Sequence, residues 1–376
     1  MIVLETTTYV VKNALEKILV STNVMGNLQN AGMQLTTEQI QKKRSKNMKY
    51  KLFTHTDLDG VGCAILAYLA FGRENVDVEY CNYNDVNEKV RDHICYLGWQ
   101  DYDQTYITDI SITEDLAIII NETNEDYKVH LFDHHKTAEY LNQFDWCQVL
   151  EYMPFTNSVK TSGTQMFYTY LRSQCTCLDE FSSRVQRNIS KFVDVVRNYD
   201  TWRWKELGVE GIVCKQVNDL FYIYGRDTFI SWVNMQMNTS KVFPDFLDTD
   251  KILLDFRKND IDRYVEEKNL SLMPVEDKDH HWFGLVFADR YVSELGNKLC
   301  EMNPGLEYVA IVNISTGQVS YRTTSDDINL GTEVAHAYGG GGHPKAAGST
   351  FDINTAIKKL SEIIFHKDND TYKGNE

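Results

Sequence analysis

Lys51-Leu-Phe-Thr-His55-Thr-Asp57-Leu-Asp59-Gly60 is the stretch on which the reading of this chain turns. Lys51 to Thr54 reads as a short buried strand. It runs directly into His55, Asp57 and Asp59, which alternate and therefore point the same way if the strand continues. Gly60 lets the backbone turn sharply and leaves room for a ligand. Gly60 to Phe71, apolar on one face, then reads as a helix. Charged groups placed straight after a buried strand are costly unless they are paired or bound to cations. Alone, a His-x-Asp is commonly no more than a turn.

The pattern recurs downstream. Val76 to Tyr80 alternates as a strand and Asp85 to Tyr96 is helical. Thr105 to Ile110 reads as a strand that delivers Asp109, and Glu114 to Ile120 as a helix. Lys128 to Phe132 is a further strand, followed by Asp133-His134-His135. Strands alternating with helices predict βαβ units, an α/β fold and a mainly parallel sheet. Ligands of such sheets sit at the carboxyl ends of the strands. Thr161 to Lys205 is helical in pattern, and within it Asn198-Tyr199-Asp200 ends a helix before Trp202. Together these segments would gather carboxylates and imidazoles into one cleft. That mixed donor set suits a hard to borderline divalent ion such as manganese or magnesium.

The second half differs. Val217 to Leu272 is mostly helical, with Asp255 to Asn269 charged enough for an exposed or bridging helix. Met273 to Asp279, where Pro274 and charges break the periodicity, is expected to be a domain linker. A smaller α/β unit follows, with strands near Trp282 to Ala288, Glu307 to Asn313 and Val319 to Thr323. It carries Gly339-Gly-Gly-Gly-His343-Pro-Lys345-Ala-Ala-Gly348. A glycine run alone is commonly a flexible loop. Here His343, Lys345 and the small residues favour a binding loop, because Gly340, Gly341 and Gly342 expose backbone N–H groups to a phosphate or base. Arg322, at the end of a predicted strand, has the fork geometry for a phosphate. Tyr199, Trp202 and Trp204 offer stacking faces, although in a chain with 22 tyrosines and six tryptophans packing is the commoner use of any one.

Composition limits the alternatives. The chain has 376 residues, enough for two or three domains, and 43% hydrophobic residues to build their cores. A net charge of −16 opposes a protein that grips long DNA through many phosphates. It leaves room for a short substrate, because divalent ions reverse the field within one cleft. No apolar run approaches the roughly 18 residues of a membrane span. No basic leader precedes a small-residue cleavage site, so the expected location is the cytoplasm. The eight cysteines form no Cys-x-x-Cys, which argues against structural zinc, and all are expected to be reduced thiols.

With these motifs in place, the sequence resembles the DHH phosphoesterase superfamily with its DHH-associated C-terminal domain, from about Lys51 to Phe351. The resemblance is carried by His-Thr-Asp-Leu-Asp-Gly at 55–60, Asp109, Asp-His-His at 133–135, Asp200 and the glycine-rich run at 339–348. Asn-Tyr-Asp-Thr-Trp at 198–202 makes it most similar to the NrnB-type nanoRNases. The resemblance implies a two-domain fold: a mainly parallel five-stranded sheet domain and a smaller C-terminal α/β domain, joined by a helical linker. It implies an active site in the cleft between the two. On this basis 1–46 is an extension, 47–215 the catalytic domain, 216–279 the helical linker, 280–366 the substrate-binding domain and 367–376 a flexible tail. His55, Asp57, Asp59, Asp109, His134 and Asp200 would hold two divalent ions bridged by Asp109, with manganese first and magnesium or cobalt as alternatives. Asp133 would orient the neighbouring imidazoles, and His135 would contact the scissile phosphate and assist the leaving group. Arg322 and His343 would clamp the nucleotide.

The implied activity is hydrolysis of short single-stranded oligonucleotides, RNA or DNA, to mononucleotides. A linear or cyclic dinucleotide phosphodiesterase or a 3′-phosphoadenosine-5′-phosphate phosphatase shares the same metal site. A non-catalytic nucleotide-binding module is a reading of a different class, opposed by competent residues at every ligand position. No membrane partner is expected, and a homo-oligomer is compatible with the sequence. Residues 1–46, with helical stretches at Val10 to Leu19 and Thr36 to Ser45, read as a surface extension, a lid or a partner-binding segment.

Overall fold

The computed structural model describes residues 48–95, 99–123, 128–154, 156 and 158–365. The readings of 1–46 and 367–376 fall outside them. The described residues form two compact units, one within 1–218 and 226–245, the other within 219–225 and 246–376.

The first unit is built on strands β1 (Tyr50–His55), β2 (Val76–Cys81), β3 (Gln104–Thr108), β4 (Val129–Asp133) and β5 (Cys147–Val149). They form one parallel sheet in the order β2-β1-β3-β4-β5. Leu52, Phe53, Ile107 and Leu131 are wholly buried, as expected of strands covered on both faces. Each such side chain contributes about 1.5–3 kcal/mol relative to exposure. The crossovers are α1 (Leu58–Phe71), α2 (Val86–Cys95) and α3 (Glu114–Thr123). After β5 come α4 (Gly163–Gln174) and α5 (Ser183–Asp200). The sequence pattern located every one of these elements except β5, whose three residues are too few to show a period.

Register decides where the chemistry sits. Thr54 pairs with Thr108, and Thr108 with Phe132. The residues that follow, His55, Asp109 and Asp133, therefore emerge side by side at one edge. The backbone of Asp109 turns out of the strand at φ 58°, a left-handed conformation uncommon outside glycine. The expected strand therefore stops at Thr108, before Ile110.

α6 (Val209–Tyr224) begins in the first unit and ends in the second, α7 (Arg226–Met237) belongs to the first, and α8 (Asp248–Leu270) to the second. The second unit has a six-stranded mixed sheet in the order β10-β11-β9-β8-β7-β6. Its strands are β6 (Met273–Glu276), β7 (Trp282–Phe287), β8 (Tyr308–Asn313), β9 (Gln318–Arg322), β10 (Gly341–His343) and β11 (Ala346–Thr350). α9 (Val292–Met302) and α8 cover one face through Leu295, Leu299, Ile261 and Val265 against Val286, Val309 and Ile311. α10 (Ile353–Phe365) closes the described chain.

Three expectations are corrected. Met273 to Glu276 is an edge strand rather than linker, antiparallel to β7. Pro274 is tolerated there because an edge strand need not donate on its outer side. The glycine run is a tight hairpin, with β10 and β11 turning at Pro344-Lys345. Packing demands two of its glycines: a Cβ on Gly340 would lie 2.0 Å from the Gly348 carbonyl oxygen, and one on Gly342 2.6 Å from the Ala347 Cα. Lastly, Cys175 and Cys177 are joined as a disulfide, whereas Cys63, Cys81, Cys147, Cys214 and Cys300 are buried free thiols and Cys95 is an exposed one. No described helix is long and apolar enough to cross a membrane.

Candidate metal centre

The ends of β1, β3 and β4 and the last residue of α5 bring all six expected ligands together. They fall into two sets, His55 with Asp57 and Asp109, and Asp59 with His134 and Asp200; within each set the donor atoms lie within 4.8 Å of one another. In the first set His55 Nδ1 is 3.0 Å from Asp57 and 3.9 Å from Asp109. In the second, His134 Nε2 is 3.4 Å from Asp200 and 3.8 Å from Asp59. His134 Nε2 is also 3.3 Å from Asp109 Oδ1, so Asp109 touches both sets.

Local structure fixes each donor. Asp57 caps α1, accepting from Gly60 N at 3.1 Å, which fixes the carboxylate and contributes about 1 kcal/mol to the helix. Gly60 must be glycine here, since a Cβ would meet the His55 carbonyl oxygen at 2.2 Å. Asp59 is held from far along the chain: Gly163 N donates to one carboxylate oxygen at 2.6 Å and Thr164 N to the other at 2.9 Å. The positive end of α4 thus steadies a buried anion. Asp133 accepts from His134 N at 2.8 Å, from the His135 ring at 2.7 Å and from Ser111 Oγ at 2.5 Å. With both oxygens engaged, Asp133 positions the two histidines, even though it lies close enough to be counted with Asp109, His134 and His135 as a possible ligand group.

The electrostatics are those of a site short of positive charge. Burial, reinforced by Asp59, Asp57 and Asp200, pushes the Asp109 carboxyl well above its usual range. Burial and the Asp59 and Asp57 carboxylates do the same to Asp200. Desolvation pushes Asp57 upward as well, but the His55 imidazole and the Gly60 N–H outweigh it and hold the carboxyl at about 2. Burial and the neighbouring His135 lower His134, leaving the neutral imidazole that a metal requires. Burial works against charge on His135, yet Asp133 outweighs it and raises the ring to about 9.

The residues fit a pair of divalent cations. Asp109 Oδ2 and His134 Nε2 are buried without a hydrogen-bond partner, a cost of about 1–3 kcal/mol each that a bound cation removes. Carboxylates crowded until two of them resist ionisation need that compensation.

The sequence reading missed three contributors. Tyr83, just past β2 at the same sheet edge, lies with its hydroxyl 3.3 Å from His135 Nε2. Ser111 and the α4 N-terminus were not singled out either. Ser162-Gly-Thr-Gln165 has the pattern of a capping box, and Ser162 Oγ does accept from Gln165 N at 3.3 Å, which would have located the helix start. Arg322 and the hairpin lie in the second unit. Arg322 is largely buried, donating to the Tyr321 carbonyl at 2.8 Å and to Ser293 Oγ at 3.1 Å. Lys345 pairs with Asp326 at 2.5 Å and also donates to the Ser325 carbonyl. Gly341, Gly342 and His343 are exposed at the hairpin tip, and Gly340 is half-buried.

No family profile matches the chain. It is 36% identical over 301 residues to the oligoribonuclease NrnB of Bacillus subtilis (strain 168), covering 80% of this chain and 72% of the relative. Among solved structures it resembles the DHH domain of a protein described as a member of a family of ribosomal proteins. That match has a TM-score of 0.53 at 13% identity, over 93% of this chain and 96% of that one. A manganese-bound RecJ exonuclease superposes with a TM-score of 0.47 at 14% identity, over 91% of this chain and 97% of RecJ.

Proposed function

The chain belongs to the NrnB oligoribonuclease family of DHH-domain proteins, and on that premise we propose that it hydrolyses short oligonucleotides to mononucleotides with two divalent cations, manganese first. It is a hydrolytic nuclease. The observation that carries the finer reading is the division of six donors into two sets joined by Asp109, with buried atoms of Asp109 and His134 left unsatisfied.

His55, Asp57 and Asp109 would hold one ion, and Asp59, His134 and Asp200 the other, with Asp109 shared. When bound, the ions supply Lewis acidity to the phosphoryl group and a nucleophile at neutral pH. The chain supplies the rest. Asp133 locks His135 through Nδ1, so the ring stays protonated near neutrality and presents its other nitrogen. From there His135 meets charge developing on a phosphoryl oxygen and gives a proton to the leaving oxygen. In the second unit, Arg322, His343, Lys345 and the N–H groups of Gly340 to Gly342 bind the nucleotide. Arg322 reaches a phosphate by exchanging its Ser293 contact.

The experiment is a chelated protein given back manganese, magnesium or cobalt with di- to penta-ribonucleotides, matching deoxynucleotides, a cyclic dinucleotide and 3′-phosphoadenosine-5′-phosphate. The expected result is manganese-restored release of mononucleotides from the short linear substrates. Nucleotide binding with no hydrolysis under any metal would overturn the proposal and leave a binding module.

A further inference from the structure

Immediately after the ligand Asp200 runs Thr201-Trp202-Arg203-Trp204-Lys205, in which two indoles alternate with two cations. Three features single it out. The first is a ladder of rings. Tyr199, fixed by the Asn218 amide at 2.8 Å from its hydroxyl, stacks on Trp204 at 5.9 Å and 18°. Trp204 in turn faces Trp202 at 6.1 Å and 33°. The ladder is anchored at Tyr199 and open at Trp202, which is 44% exposed.

The second is strain. Trp202 adopts φ 62°, a genuine outlier for a bulky side chain, costing about 1–3 kcal/mol. Among the described residues Asp109 is another of the four non-glycine residues in this region, so two of those four belong to the candidate metal centre or its immediate neighbour in sequence. Trp146 and Trp232, by contrast, sit in the core at 4% and 7% exposure.

The third is charge. In a chain of net charge −16, Arg203 and Lys205 are both exposed, and Lys205 Nζ lies 5.0 Å from the Trp202 ring centroid and 5.9 Å from that of Trp204. Interleaved aromatics and cations are how proteins hold single-stranded nucleic acid: rings take bases and cations take phosphates. Two residues of chain span no more than about 7 Å, so the open end of the ladder lies within a nucleotide's reach of Asp200.

We propose that Trp202, backed by Trp204 and Tyr199 and flanked by Arg203 and Lys205, is a base-stacking subsite on the first unit for the nucleotide beside the scissile phosphate. It takes any base, a purine better than a pyrimidine, because every base offers a π-face and the larger one overlaps more. The proposal rests on the nuclease reading for its substrate, but its binding test does not depend on turnover.

The test is calorimetric binding of AMP, UMP and ribose 5-phosphate to the full, manganese-loaded chain and its Trp202→Phe, Trp202→Leu, Arg203→Ala and Lys205→Ala variants. Phe and Leu both keep apolar bulk, and only Phe keeps a π-face. The wild type should bind AMP at least about tenfold more tightly than ribose 5-phosphate, with UMP between them. Trp202→Leu should lose that advantage with ribose 5-phosphate unchanged, and Trp202→Phe should keep most of it. Arg203→Ala and Lys205→Ala, at exposed positions, should weaken all three ligands alike by a few-fold. A base advantage that survives in Trp202→Leu overturns the proposal, and so does equal weakening of AMP and ribose 5-phosphate by that change. Base-dependent binding that vanishes in Trp202→Leu, in a protein that hydrolyses none of the oligonucleotides, keeps the subsite and removes the nuclease reading. Hydrolysis with no preference for AMP over ribose 5-phosphate does the reverse.

Discussion

The carboxyl edge of the first sheet and the hairpin tip of the second handle charge in opposite ways. At the first, carboxylates from three elements converge on one another and two buried donor atoms have no partner. At the second, the cations already make internal contacts, Lys345 with Asp326 and Ser325, Arg322 with Ser293 and Tyr321, and Arg322 Nε alone is buried without a partner. An unsatisfied cluster is complete only with ions, and gains from them outright. A cluster whose cations are mostly paired must exchange internal contacts for a ligand, so its net gain per contact is small. On the proposed function, the first region would set whether chemistry happens, and the second how tightly a substrate is held.

The comparison breaks most visibly at Asp109. Asp109→Asn should cut manganese-dependent hydrolysis by about three orders of magnitude or more, because both ligand sets lose their shared group. In the metal-free protein the same change should raise the melting temperature by a few degrees. The sign follows from the raised carboxyl: the folded form holds its proton more readily than the unfolded chain. Stability from this group is thus lost as pH rises from 3.8 towards the higher folded value. A metal-free Asp109→Asn protein that melts below wild type at neutral pH would show that Asp109 is not under carboxylate repulsion. Manganese should raise the wild-type melting temperature, and raise that of Asp109→Asn less.

In the second region the effects should shrink. Arg322→Ala is expected to raise KM for a dinucleotide about tenfold with kcat within a few-fold, the loss of one charge-assisted contact. Lys345→Ala should change KM by no more than about threefold, since its internal bonds offset what a phosphate offers. A Lys345 effect larger than that of Arg322 would reverse the ranking. The smallest effect lies away from both regions. Burial, with Lys51 adding to it, lowers His93 to about 4 from 6.5, so the unfolded chain takes the proton first. Stability from this group is complete above pH 6.5 and falls as pH drops towards 4. His93→Gln should flatten the urea midpoint across that window while leaving the midpoint at pH 8 little changed.

Much of the first region was legible because it rests on adjacency. Each donor follows an apolar run, and parallel register carries run ends to one edge, so His55, Asp109 and the residues after Phe132 could be placed together without coordinates. What escaped depends on contacts between distant segments. The grip of Gly163 and Thr164 on Asp59 spans 104 and 105 residues and leaves no local periodic trace. Tyr83 reaches His135 only because β2 lies beside β1. The second region was read less well because glycine is ambiguous: the same residue serves a loose loop and a hairpin too tight for a Cβ. Met273 to Glu276 was misjudged through Pro274, which disqualifies a central strand but not an edge.

The path of the backbone has a consequence for dissection. It passes from the first unit to the second at residue 219, returns at 226 and leaves for good at 246. The returning segment supplies Phe229, Val233 and Trp232, all buried, and Phe243, which meets Phe192 of α5 edge-on at 5.5 Å. Truncation at 218 would strip this cover from the helix that ends in Asp200. The half that carries the candidate metal ligands is therefore not a separable cassette: gene fusion, limited proteolysis or a nonsense codon near that point should yield insoluble protein rather than a minimal enzyme.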